Sequence, residues 1–156
     1  MKTGFLLVML PFLVGILISD AVSNDFNVEM PLSDGTERTS PHDRIKESQI
    51  FAYDDKVVLQ IKGASLAKYA DTNSMDPLLD KDSNGIEIEP GNEDDLHVGD
   101  VVAYELNNEL IVHRITEINY DGKGKYFMLK GDNLRENDPY KIRFNQVKYV
   151  LVGIIY

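Results

Sequence analysis

Polar and apolar positions divide the chain into three stretches. Residues 4–19 form an uncharged, mostly apolar run, interrupted by Pro11 and Gly15 and closed by Asp20. A helix of that length reaches about 24 Å, a little short of the roughly 30 Å hydrocarbon core of a bilayer. An uncleaved anchor over residues 1–20 and a removed leader are therefore both open. Ser19 and Ala21 supply the small residues that a cut after Ala21 would need. Lys2 before the run and net acid after it orient the amino end to the cytoplasm and residues 20–156 to the outside.

Residues 20–40 are rich in Ser, Asp, Glu and Asn and show neither a helical nor an alternating period. This predicts a polar linker over 21–45 ahead of a β-rich domain over 46–156. Ser40, Pro41 and Asp43 form a helix-start signature, which predicts a short helical turn over 41–47. Beyond it, apolar and β-branched runs predict strands near 50–53, 56–62, 85–89, 100–106, 109–118, 125–130 and 147–156. Asp54-Asp55 and Asn107-Asn108 are turn pairs between neighbouring runs. Short strands at close spacing predict a mainly β domain, a folded β sheet that is partly barrel-like. Gly99 and Asp100, in a turn before a strand, read as fold-determining.

Composition narrows the chemistry. The 156 residues suit one domain with a short appendage, and the 43% hydrophobic content is enough to build a core. A formal net charge of -10 argues against nucleic acid as a partner. No cysteine is present, so disulfides, thiolate nucleophiles and cysteine metal sites are excluded. From Asp76 to Asp100 the local charge is -8. Within that stretch Asp80, Asp82, Asn84 and Gly85 copy the first half of a calcium loop. The twelfth position is Gly91, where a bidentate glutamate is required, and a solvated acidic loop is the simpler reading. His42 and His97 lack the His-Glu-x-x-His spacing of a zinc protease. No metal or cofactor is expected.

Three residues carry candidate chemistry. Ser74 lies in Asp71-Thr72-Asn73-Ser74-Met75-Asp76-Pro77, a segment that opposes regular structure. Taken alone, it is an ordinary turn serine. His113, in Leu110-Ile111-Val112-His113-Arg114-Ile115, shares a strand face with Ile111 and Ile115. Taken alone, it is a core histidine bonded to a carbonyl; the functional reading is a neutral imidazole able to take a proton from a hydroxyl. Arg114, on the opposite face, is expected to pair with an acid. Asp138 precedes Pro139, which holds it extended. A serine hydroxyl is a weak nucleophile unless a base stands beside it, and that base gains from a carboxylate that fixes its tautomer.

Asn73-Ser74-Met75-Asp76-Pro77, Val98-Gly99-Asp100-Val101-Val102, Ile111-Val112-His113-Arg114-Ile115 and Lys130-Gly131-Asp132-Asn133, in that order, resemble the boxes of type I signal peptidases. The likeness is to the archaeal and endoplasmic-reticulum branch, which carries histidine where the bacterial enzymes carry a catalytic lysine. It covers about residues 64–156. The resemblance implies a signal-peptidase-type catalytic domain with an N-terminal membrane helix, held outside the cytoplasm. It implies Ser74 as nucleophile, His113 as general base and Asp138 as the acidic partner, with Asp132 the competing acid. The oxyanion hole it implies is made by the Ser74 N–H and the Thr72 hydroxyl. Met75 and Pro77 would stiffen the serine loop. The expected substrate is an extended peptide, a leader of an exported protein with small residues near the scissile bond. One departure stands out, since 54 residues separate Ser19 from Ser74, more than the close spacing typical of the family. The alternatives are a protease dedicated to one partner and a non-catalytic exported β domain that binds one.

Overall fold

A computed structural model describes residues 38–156. The expected anchor or leader over 1–20 and the linker as far as residue 37 lie outside the described residues. The described residues form eight strands: β1 Ile50–Ala52, β2 Val57–Leu59, β3 Ser65–Lys68, β4 Asn84–Ile88, β5 Val101–Leu106, β6 Glu109–Asp121, β7 Gly124–Lys130 and β8 Val147–Ile155. No α-helix occurs among the described residues, and the domain is mainly β. β1 and β2 pair only with each other. The other six strands run in the order β3-β4-β8-β5-β6-β7, antiparallel throughout. β3 and β7 end that order without pairing to one another, so neither sheet closes into a barrel.

Hairpin turns set the register of the central strands. Asn107 and Asn108, with φ of 53° and 66°, join β5 to β6 through two left-handed residues, the geometry that matches strand twist in a tight turn. His113 therefore stands opposite Val102, and Arg114 opposite Val101. Successive residues of the central strands point to opposite faces, yet Val101 and Val102 are both buried, as are Val150 and Leu151. Both faces of the sheet are thus covered. Val102, Tyr104, Ile115, Phe127, Leu129 and Val150 make the core of the face that carries His113. Met75, Leu79, Val101 and Leu151 make that of the other.

The helical turn predicted over 41–47 does not form; a single 3₁₀ turn occupies Glu47–Gln49 instead. The reason is a distant carboxylate. Asp100 is fully buried, and its two oxygens accept from the backbone N–H of His42 at 2.9 Å, the backbone N–H of His97 at 2.8 Å and the Arg44 guanidinium at 2.5 Å. The rings of His42 and His97 stack with centroids 4.0 Å apart. A side chain on Gly99, whose φ is +99°, would lie 2.2 Å from the Ser40 carbonyl oxygen. Residues 38–45 are thus bound to the β domain as an extended strap, with Gly99 and Asp100 as its seat. Asp100→Ala takes the counter-charge from the half-buried Arg44 and the acceptor from two N–H groups, so unfolding should become easier by about 3 kcal/mol. Urea denaturation measures this, and an unchanged midpoint would refute the strap's role.

Candidate active site

Asp138 is held by its own backbone. Its N–H donates to the Leu129 carbonyl at 2.7 Å, folding the loop after β7 back onto that strand. Leu129 stands opposite Ile115 on β6, two residues from His113. The Asp138 carboxylate oxygen Oδ2 consequently meets His113 Nδ1 at 2.7 Å, and the same oxygen accepts from the Tyr104 hydroxyl at 2.9 Å. His113 and Tyr104 are both buried. Burial, reinforced by the hydrogen bond to Asp138, holds the Tyr104 phenol protonated far above its ordinary range. A carboxylate on Nδ1 fixes the imidazole tautomer and leaves Nε2 as the ring's acceptor.

The Ser74 loop comes to that free nitrogen through a glycine. A methyl group built on Gly131 would lie 2.5 Å from the Ser74 carbonyl oxygen and 3.0 Å from His113 Nε2. Only a residue without a side chain lets the three segments approach so closely. Two bonds clamp the loop from the same stretch: Asn133 N–H donates to the Ser74 carbonyl at 3.0 Å, and Asn133 Nδ2 donates to the Asn73 carbonyl at 2.9 Å. Asn73 adopts φ of 56°, which turns the chain sharply before the serine, while Met75 anchors the loop in the core. Ser74 Oγ is 3.2 Å from Thr72 Oγ1 and makes no hydrogen bond to His113. The structure thus brings His113 and Asp138 into contact and carries Ser74 and Thr72 to the neighbouring loop, with the serine hydroxyl turned to the threonine.

Asp132 faces elsewhere. It is buried and forms a two-pronged pair with Arg114, Nε to Oδ1 at 2.8 Å and Nη2 to Oδ2 at 2.7 Å. Arg114 also donates to the Gly99 carbonyl at 2.7 Å. This arrangement ties the loop after β7 to the strap seat and leaves Asp138 as the acid on the imidazole.

Beside Ser74 opens a cavity of about 450 Å³. Ala67, Ala70, Met75, Leu79, Ile111 and Val112 are among the residues that wall it, and Thr72 and Ser74 stand at one side. Its lining draws on β3 and on β6, which lie far apart in the sheet order, so the sheet curls around it. Glu87 also lines it, almost fully buried, and accepts from the Tyr69 hydroxyl at 3.1 Å. Desolvation raises the Glu87 carboxyl above the ordinary carboxylate range, partly opposed by that hydrogen bond. Desolvation and the neighbouring carboxylate raise the Tyr69 phenol as well.

Neither the models of known protein families nor the curated proteins contain a match to this chain. The site is therefore described by its own geometry. Sequence reasoning passed over Tyr104, Gly131, Asn133 and the Tyr69–Glu87 pair. Gly131 and Asn133 were visible in the box around Asp132; the close approach they permit depends on a loop far away in sequence. Gly131→Ala should overpack the junction and cost about 1–3 kcal/mol of stability, with the Ser74 loop displaced; calorimetry showing no loss would contradict this. For Glu87, a raised folded-state pKa means a stability contribution complete below the unfolded-state pKa and lost as pH rises through the folded value. Relative to the parent protein, Glu87→Gln should thus melt at a higher temperature at pH 8 than it does at pH 4. A pH-independent difference would show that the carboxyl ionises without penalty.

Proposed function

We propose that this chain is a serine endopeptidase of the signal-peptidase kind, tethered to a membrane by its N-terminal run and acting outside the cytoplasm on extended peptides. The observation that carries the reading is the Asp138–His113 pair, whose free Nε2 faces the same Gly131 junction as the Ser74 backbone. A rotation about the Ser74 side-chain bond exchanges its Thr72 partner for the imidazole. Nε2 then takes the hydroxyl proton as Oγ attacks the peptide carbonyl, and Asp138 stabilises the resulting imidazolium. The Ser74 N–H makes no hydrogen bond among the described residues, and with the Thr72 hydroxyl it offers donors for the oxyanion. The imidazolium next protonates the leaving amine, and water hydrolyses the acyl-enzyme by the same base. The fold serves such a substrate as a signal-peptidase-type sheet, curled and partly barrel-like, whose cavity beside the serine accepts side chains of an extended strand.

A leader peptide with small residues near the scissile bond is the substrate we favour. A second reading, a non-catalytic exported domain that holds a partner peptide, draws on the Ser74–Thr72 hydrogen bond and the missing serine–imidazole bond. The full chain, incubated with leader peptides and followed by mass spectrometry, separates the two. Ser74→Ala should abolish cleavage, with a loss of at least about 10⁴-fold, and Asp138→Asn should lose about as much because the imidazole tautomer is no longer fixed. Thr72→Val should lower kcat by about 100-fold with little change in KM. Retained function in Ser74→Ala would favour the binding domain, and an unchanged kcat in Thr72→Val would remove the threonine from the oxyanion site.

A further inference from the structure

The cavity beside Ser74 has aliphatic walls and a carboxylate set into them, an unusual pairing. Glu87 is 4% exposed. One of its oxygens, Oε1, accepts from Tyr69, and the other has no hydrogen-bond partner among the described residues. The arrangement is held by the strand register. Gly85 pairs with Ala67 and Glu87 with Ser65, so Ala67, Tyr69, Gly85 and Glu87 share one face of β3 and β4. Tyr69 reaches the carboxylate only because Gly85 is bare: a side chain there would fall 1.8 Å from the Tyr69 hydroxyl. A glutamine or an aliphatic residue at position 87 would fill the same space without the desolvation penalty.

The other charges around the cavity do not neutralise this carboxylate. Glu109 lies on the lining from β6 and adds to the negative potential. Lys68 also borders the cavity, but it alternates with Ala67 and Tyr69 along β3 and makes no ion pair with Glu87. The chain as a whole carries -10, which favours the approach of cations. A volume near 450 Å³ is larger than an alanine side chain occupies. An aliphatic stem ending in a positively charged donor matches both the walls and the unpaired oxygen.

We propose that Glu87 is a specificity-determining residue of this cavity, selecting peptides that place a lysine side chain along the aliphatic walls with its ammonium at the free carboxylate oxygen. The proposal rests on the peptidase reading for its effect on turnover, though binding alone can test it. Small residues next to the scissile bond remain compatible with it, because the lysine would occupy a neighbouring position of the same strand.

The test uses the full chain carrying Ser74→Ala and fluorescein-labelled, alanine-rich decapeptides. A single lysine, norleucine or glutamate is walked through successive positions, and binding is read by fluorescence polarisation. At one position lysine should bind at least tenfold more tightly than norleucine, and glutamate more weakly than either. Adding Glu87→Gln should bring the lysine-to-norleucine ratio to about one, and Glu87→Asp should restore part of it. If Glu87→Gln does not fold, Tyr69→Phe serves instead, since freeing Oε1 should raise the ratio. No lysine preference at any position, a preference that survives Glu87→Gln, or a ratio lowered by Tyr69→Phe would overturn the proposal. The same peptides given to the chain with Ser74 intact report on catalysis separately. Lysine preference without hydrolysis would sink the peptidase reading alone, and hydrolysis without preference would sink the role of Glu87 alone.

Discussion

The approach of the Ser74 loop to the His113 imidazole at Gly131 is the contact on which the site depends. The serine loop and the imidazole meet at this one residue without a side chain. Asn133, two positions on, grips the serine loop by its carbonyls, and Asp132 between them is locked to Arg114. The loop after β7 therefore does three separate jobs within a few residues. It spaces the serine from the imidazole, clamps the serine loop, and, further along at Asp138, supplies the carboxylate on the far nitrogen. The bare Cα of Gly131 does the first, and the Asn133 N–H and side-chain amide do the second, which is why the arrangement tolerates no added atom at Gly131.

Covering both sheet faces has a second effect. The face with Val102 and Tyr104 holds the buried imidazole, while the opposite face with Val101 and Leu151 anchors Met75 beside the serine. The serine loop and the imidazole are thus held by two different packing clusters, and Gly131 sets how closely they approach.

What could be read from the sequence followed how local the determinants were. The Asn107–Asn108 turn and the face of His113 came from adjacent residues and strand parity, and the strands from 84 onward fell close to their expected bounds. β3 received no bounds from the sequence: Ser65–Lys68 is short, and Leu66 points outward, so no alternation marks it. The helical turn over 41–47 had good capping residues but lost to Asp100, whose bond to His42 spans 58 positions. Glu87 carried no signal either. Between Ile86 and Ile88 it belongs to the face that alternation would give to solvent, and only the packing of Tyr69 and the cavity wall onto that face bury it. Ser74 and His113 were identifiable as chemistry-bearing residues, whereas the present orientation of the serine hydroxyl depends on a rotamer that no sequence pattern encodes.

The strap seated on Asp100 also redraws where this unit begins. A polar stretch ahead of the first strand reads as dispensable, and truncation at residue 46 would look natural for recombinant expression. Such a shortened protein would keep every strand and still lose Arg44 and the His42 amide, leaving a carboxylate sealed inside with only the His97 amide to answer it. Starting at residue 38 or earlier retains the counter-charge, so the smallest intact version of the domain is set by one ion pair to a buried carboxylate and not by the outline of the sheet.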